Sequence, residues 1–234
     1  MTEPDRREEL ARRLAQVRRR IAKACEAAGR DVSELTLIAV TKTRPAADVR
    51  LLRELGVADV GENRDAEAAP KAAQCADLRL TWHFIGQLQT NKCASVVRYA
   101  SVVHSVDRPR LIRALGRAAR GAGREIQCLI EVSLDGDPAR GGAVAADVPA
   151  LAEALAAEEG LTLGGVMAVA PLEEDPAAAF GRLRACAEDV RAVQPGATVI
   201  SAGMSGDLEA AVQAGATHLR IGTALLGDRE PRVR

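Results

Sequence analysis

Aromatic side chains are nearly absent. Phe, Trp and Tyr make up 2% of the 234 residues, so any core must be built from Ala, Val, Leu and Ile. No charge of one sign dominates: 32 Lys+Arg balance 32 Asp+Glu, which argues against the broad basic footprint of a nucleic-acid-binding protein. The five cysteines (Cys25, Cys75, Cys93, Cys128 and Cys186) are odd in number, widely spaced and without a Cys-x-x-Cys pair. That pattern excludes a disulfide framework and a zinc site and points to reduced thiols. No apolar run reaches membrane-spanning length, and no signal peptide opens the chain. The expectation is a soluble cytoplasmic protein without metal ligands or a membrane partner. Lysine is scarce too: only Lys23, Lys42, Lys71 and Lys92 stand among the 32 basic residues.

That scarcity draws attention to Lys42. It closes the apolar run Leu35-Thr-Leu-Ile-Ala-Val-Thr41 and precedes Thr43-Arg44-Pro45. A β-branched apolar run stopped by a polar-proline turn reads as a buried strand ending in a loop. A primary amine then stands at the carboxyl edge of a sheet, where α/β proteins build their sites. Only lysine can lose its proton and condense with an aldehyde, a chemistry closed to arginine. The plain alternative is a surface lysine at a strand end.

What is abundant is alternation. An amphipathic helix over residues 6–28 places Leu10, Leu14, Val17, Ile21 and Cys25 on one face, with Arg18-Arg19-Arg20 on a solvated one. Strand patterns follow at 35–41, 58–61, 80–85, 102–106, 126–132, 163–169, 198–202 and 218–221. Helical patterns at 46–55, 64–74, 91–99, 108–119, 148–158, 176–193 and 208–214 separate them. Strictly alternating strands and helices mean parallel strands joined by right-handed crossovers. Eight of them, with no Gly-x-Gly-x-x-Gly turn after the first, favour a closed barrel over an open doubly wound sheet. The fold expected is a single (β/α)8 TIM barrel with an extra N-terminal helix, one domain spanning residues 1–234. Only the loop 135–142 is glycine-rich enough to suggest mobility.

In such barrels the loops after strands seven and eight often hold phosphate. Here they read Gly203-Met-Ser-Gly-Asp207, with Ser205 and free amides at a helix start, and Arg220-Ile-Gly-Thr-Ala224. An ordinary helix-capping loop is the alternative for the first. A strand-end lysine opposite a phosphate cradle suits a phosphate-bearing aldehyde. Pyridoxal 5′-phosphate (PLP) and a sugar phosphate handled by a Schiff-base aldolase both fit.

Six blocks in chain order carry a more specific resemblance: Ala39-Val-Thr-Lys-Thr-Arg-Pro45, Gly61-Glu-Asn63, Trp82-His-Phe-Ile-Gly-Gln-Leu-Gln-Thr-Asn-Lys92, Gly165-Val-Met-Ala168, Gly203-Met-Ser205 and Arg220-Ile-Gly-Thr-Ala224. Together they resemble the pyridoxal phosphate homeostasis protein family, whose barrel is similar to the N-terminal domain of alanine racemase. The resemblance implies that Lys42 carries PLP as an internal aldimine. It implies that Ser205, Gly222 and Thr223 hold the phosphate and that Arg220 faces the pyridine nitrogen. Asn63, His83 and Met167 match positions on the ring side of the pocket, and Ser201 and Met204 complete the set. For His83 a hydrogen-bonded structural role competes with proton transfer; His104 and His218 read as structural, and Asn91 and Lys92 as a helix start. Four positions depart from the family pattern: Arg64 replaces a common tyrosine, Gln87 a proline, Ala202 a methionine and Gly206 an aspartate.

The racemase also needs a tyrosine base from an additional domain. This chain ends with the eighth strand–helix unit, and its lone tyrosine, Tyr99, is expected on an outer helix. With one base evident, no catalytic residue is assigned. The resemblance implies a cytosolic protein that buffers or delivers PLP for vitamin B6 homeostasis, with apo PLP enzymes as recipients; without the extra domain through which a racemase barrel partly dimerises, a monomer is expected. A weak PLP-dependent racemase or transaminase and, further off, the aldolase are the alternatives.

Overall fold

The apolar run before Lys42 forms strand β1 (Thr36–Val40), which pairs in parallel with β2 (Asp59–Glu62) on one side and β8 (His218–Ile221) on the other. Between them β3 (Thr81–Phe84), β4 (Val102–Val106), β5 (Ile126–Glu131), β6 (Leu161–Met167) and β7 (Val199–Ser201) follow in chain order, closing an eight-stranded barrel. This computed structural model describes residues 3–137 and 140–227. Around the strands run α1 (Glu3–Ala28), α2 (Ala46–Glu54), α3 (Asp65–Gln74), α4 (Cys93–Val96), α5 (Pro109–Gly121), α6 (Val148–Ala156), α7 (Pro176–Val193), α8 (Leu208–Gln213) and α9 (Thr223–Leu226). Among the described residues no helix is long and apolar enough to cross a membrane.

The scarcity of aromatics shows in the packing. Aliphatic side chains from the outer strand faces and the helices make one large cluster, with Phe84 and Phe180 the only fully buried aromatics in it. A small inner layer of Val102, Leu129 and Met167 fills the bore. All five cysteines are buried and unbridged, and burial raises their thiols, most strongly at fully enclosed Cys128. That environment suppresses thiolate reactivity.

Helix α1 lays Leu10, Leu14, Val17, Ile21 and Cys25 against the barrel, as its periodicity predicts, and packs on α8 and α9. Its arginines are not all merely solvated. Arg20 pairs with Glu209 at 2.9 Å and donates to the Ser205 carbonyl at 3.0 Å, tying α1 to the loop after β7.

Beyond shifts of a few residues at element ends, three differences from the sequence reading matter most. Strand β6 starts at Leu161, not 163, because Leu161 and Thr162 pair with Ile126 and Gln127; Ala168 and Val169 leave the sheet. The helix expected over 91–99 breaks into a 3-10 turn, Thr90–Lys92, and one turn of α4. The β-branched Val96 and Val97 end it, so Tyr99 lies in the turn before β4, not on an outer helix. There it packs edge-on against Trp82. Finally, Thr223–Leu226 forms the short helix α9 beyond the eighth strand.

One bulge shapes the barrel. Pairing shifts between Cys128 and Leu129, which face Leu163 and Gly165, so β6 carries an extra residue there. Gly165 adopts φ +145°, and a Cβ on it would lie 2.0 Å from the Val199 carbonyl oxygen. Gly165→Ala is therefore expected to cost about 3 kcal/mol or more. Gly181→Ala, in α7 where nothing lies within 4 Å, should stabilise by about 0.5–1 kcal/mol. Paired urea titrations check both; equal stability of the two variants would refute the steric account.

Candidate functional site

Lys42 stands two residues beyond β1 and is half-buried. Ile38 and Val40 point into the barrel, where their methyl groups come within 3.0 and 3.6 Å of the Cβ position at Gly61. Lys42 continues their parity. Thr41 faces the other way, and its hydroxyl donates to Glu62 Oε1 at 2.6 Å. Lys71, from α3, donates to the same oxygen at 2.5 Å and to the Thr41 carbonyl at 2.8 Å. All three side chains are buried, so an ion pair sealed between sheet and helix grips the peptide that precedes Lys42. Beyond it the turn closes through Arg44 N–H to the Thr41 carbonyl at 3.0 Å. Thr43 sits at φ +65°, a left-handed conformation that a β-branched residue adopts only under constraint.

Inside the bore, polar side chains from five strands make a continuous chain. Arg220 donates from Nη1 to Ser201 Oγ at 2.7 Å and from Nη2 to the Ala168 carbonyl at 2.8 Å. Ser201 Oγ lies 3.0 Å from His104 Nδ1, His104 Nε2 lies 2.9 Å from His83 Nδ1, and His83 Nε2 lies 3.0 Å from Asp59 Oδ1. Burial lowers the Arg220 guanidinium to about 10, against the opposing pull of Asp207 and Glu131. Burial, helped by His83, also takes His218 down to about 4 and holds His104 well below the usual imidazole range. His104 and His218 are thus neutral and the arginine charged at neutral pH.

The loops after β7 and β8 meet at a corner of hydroxyls. Ser205 Oγ accepts from Ala224 N–H at 3.2 Å and from Thr223 Oγ1 at 3.3 Å. Closure of β8 onto β1 puts this corner beside the Lys42 strand, not opposite it: a Cβ at Gly222 would sit 3.7 Å from Val40 Cβ. The amides here are not all free. Asp207 Oδ1 takes the Met204 N–H at 2.5 Å, because the six-residue helix α8 starts only at Leu208.

At the rim, Asn63 follows β2, and Gly86 lets the loop after β3 press on it: a Cβ there would lie 2.1 Å from the Asn63 carbonyl oxygen. Met167 ends β6, buried. Four buried side-chain oxygens find no partner among the described residues: Glu62 Oε2, Asn63 Oδ1, Ser105 Oγ and Glu131 Oε2. Glu131 ends β5 and lines a cavity of about 220 Å³ with Ser133, Asp135, Arg140 and Val169. Burial, then Asp107, pushes its carboxyl up to about 7 against Arg220 and Arg108. Of the departures from the family pattern, Arg64 is exposed and pairs with Glu67 at 3.6 Å. Gln87 Nε2 donates to the Arg140 carbonyl at 3.3 Å, so it holds the 135–142 loop, whose Pro138 and Ala139 lie outside the described residues.

The expected site residues thus fall at two levels. Lys42, Asn63, Met204, Ser205, Gly222 and Thr223 lie in or beside loops at the strand ends, while His83, Ser201 and Arg220 form a buried layer with Met167 beside it. Sequence reasoning missed Asp59, Thr41, Glu62, Lys71 and Glu131 and read His104 as a passive core residue. Glu62 sat inside a recognised block, and the scarcity of lysine marked Lys71, but no spacing signals that the two meet.

The family model described as alanine racemase, N-terminal domain, matches residues 13–230. The pyridoxal phosphate homeostasis protein of Mycobacterium tuberculosis is 44% identical, covering 98% of this chain and 96% of its own length. That of Escherichia coli is 34% identical over 95% and 97%. The solved structure of PipY from Synechococcus elongatus with PLP bound superposes with a TM-score of 0.82 at 35% identity, over 93% of this chain and all of that one. Alanine racemase from Corynebacterium glutamicum, at 16% identity and TM-score 0.69 over 94% and 60%, shares the fold.

Removing one partner of the sealed ion pair strands the other. Lys71→Met is expected to destabilise by about 3–5 kcal/mol, and Lys71→Met with Glu62→Leu to recover most of that loss. Urea titrations of both decide it; an additive double variant would refute the pairing. Glu131 gives a pH signature. With its folded pKa raised from 4.5 to about 7, its stabilising contribution is present below 4.5 and lost as pH rises through 7. Glu131→Gln should match the parent near pH 4.5 and exceed it by up to about 3 kcal/mol at pH 8. A pH-independent difference in denaturation midpoint would contradict this.

Proposed function

Because the chain belongs to the pyridoxal phosphate homeostasis protein family, we propose that it binds PLP at the carboxyl end of the barrel through a Schiff base on Lys42. On this reading it serves vitamin B6 homeostasis in the cytoplasm, as a monomer that holds and releases the cofactor to apo enzymes without turnover. The observation that carries it is the conjunction around β1 and β8: one amine, one hydroxyl corner and one buried guanidinium on three adjoining strands. The PLP-bound structure of PipY supports the cofactor.

The residues present fit the group. Buried Asn63 Oδ1 and Glu131 Oε2 lack partners among the described residues, and both residues stand at the carboxyl ends of their strands, where a polar ligand would supply one. Ser205, Thr223 and the Ala224 amide already converge within 3.3 Å and offer donors to a phosphate. No Cβ crowds them at Gly206, which has nothing within 4 Å. Lys42 offers its amine from a turn pinned by Lys71 and Glu62, so little freedom is left to lose on attachment.

Arg220 sets the character of the pocket. Bound PLP supplies an electron-withdrawing ring, and a guanidinium that keeps its proton leaves the ring nitrogen unprotonated and that capacity muted. Among the described residues no tyrosine stands there to serve as the second base that the racemase uses. Tyr99 precedes β4, and its hydroxyl stands 3.4 Å from Asp65 at the start of α3, in the helix layer outside the bore. Both support a reading of holding without turnover.

The purified protein should absorb in the visible, and borohydride reduction should fix a phosphopyridoxyl group on the peptide containing Lys42. Lys42→Ala should abolish that adduct, and Ser205→Ala should weaken PLP binding about tenfold. A colourless protein that takes up no added PLP would sink the proposal and bring the Schiff-base aldolase forward.

A further inference from the structure

The chain of side chains in the bore has a direction, and its two ends impose it. Arg220 can only donate and a carboxylate can only accept. Ser201 Oγ, 2.7 Å from Arg220 Nη1, accepts there and must place its own hydrogen on His104 Nδ1, 3.0 Å away. His104 then carries its proton on Nε2 and donates to His83 Nδ1 at 2.9 Å, and His83 Nε2–H donates to Asp59 Oδ1 at 3.0 Å. Both rings are forced into the same neutral tautomer. Any other assignment leaves two donors or two acceptors facing each other, or a buried hydroxyl hydrogen without an acceptor.

The far end of this chain is open. Asp59, with 24% of its side chain exposed, lines a groove of about 550 Å³ at the amino-terminal mouth of the barrel, beside Arg18 and Leu37. Asp59 closes the chain at this groove, while His83, His104, Ser201 and Arg220 are all at least 96% buried. The other titratable group packed on the chain is His218, whose ring centre is 6.3 Å from that of His83 and whose Nδ1 is bonded to Thr217 at 2.9 Å. It stands outside the series. Glu131 and Asp207 act on Arg220 itself through charge.

We infer that Asp59, His83 and His104 are positioning residues for the pocket: as a one-way series of donors anchored at Asp59, they hold Ser201 as the acceptor that aims Arg220 at the strand ends. The inference rests on the PLP-binding role of the pocket proposed above and extends it to three residues that do not touch the ligand. Loss of the Asp59 acceptor frees His83 to change tautomer, and each ring above it loses its reason to present the nitrogen it does. Ser201 then no longer has a fixed lone pair for the guanidinium.

The test has two arms. In the first, nitrogen spectra of the histidine side chains are recorded on the unmodified apo protein at pH 7.5, with resonances assigned through His83→Gln and His104→Gln. His83 and His104 should both be neutral with hydrogen on Nε2. A cationic ring, or hydrogen on Nδ1 of either, overturns the inference whether or not PLP binds. In the second, PLP release is timed by transfer to an excess of an apo PLP enzyme. Asp59→Leu should release at least about tenfold faster and show a displaced visible absorption maximum, and Asp59→Asn, whose carbonyl still accepts, should recover most of both. Identical release and spectra in the parent and Asp59→Leu would overturn it. Failure of the parent to bind PLP at all would instead refute the function proposed above, and the apo spectrum alone would then decide the chain.

Discussion

A guanidinium buried in the bore of a small parallel barrel constrains everything around it. Arg220 is 4% exposed and no carboxylate among the described residues pairs with it. Burying such a charge is tolerable only if acceptors meet it. The barrel provides two, a hydroxyl from β7 and a carbonyl just past β6, and then has to support the hydroxyl in turn. Polar residues therefore follow one another round the bore, each satisfied by the next, until the series reaches a carboxylate that touches water. The inner layer of Val102, Leu129 and Met167 closes the rest. One cation accounts for why a chain so rich in aliphatic residues fills its barrel with histidine, serine and aspartate.

The lysine is held by a different device on the other side of the same wall. Strand alternation sends Lys42 inward and Thr41 outward, so the peptide between them is accessible from behind. The Lys71–Glu62 pair uses that access, gripping the Thr41 carbonyl and hydroxyl from the helix layer. An ion pair in such a place is weak support for stability, since an apolar replacement can do as well. Its value lies in geometry: it fixes a turn that also holds Thr43 in a left-handed conformation. Two polar networks, one inside the sheet and one outside, thus converge on adjoining strands β1 and β8 and leave the mobile parts of the site to the loops.

The fold was legible because its signals are local and repeated. Apolar runs of strand length and 3.6-residue periodicity recur in strict alternation, and each pair of elements constrains only its neighbours. Boundaries slipped where tertiary pairing overrode the pattern, as at Leu161, which extends β6 because Ile126 is there to pair with it. The site was legible where composition singled a residue out, as with Lys42, or where a block recurs in a family. It was illegible where a contact depends on register between strands far apart in sequence. The resemblance marked His83 and Ser201 but not their link through His104, which read as structural, and 97 residues separate His104 from Ser201. Only barrel closure places them in one layer.

Closure also gives the scarcity of lysine a meaning that composition alone does not. A reactive aldehyde condenses with any available amine, so a protein that carries one benefits from having few. Arginine supplies charge for the surface pairs here, among them Arg20–Glu209, Arg50–Asp77 and Arg182–Glu174, without competing for a carbonyl. Of the remaining amines, that of Lys71 is sealed in its ion pair, while Lys23 and Lys92 are exposed on α1 and on the turn before α4. Affinity for a phosphate-bearing aldehyde requires the amine and the corner together, and adjacency of β8 to β1 brings Lys42 to that corner. On the function proposed above, selection of one lysine is a property of strand order, established before any side chain is chosen.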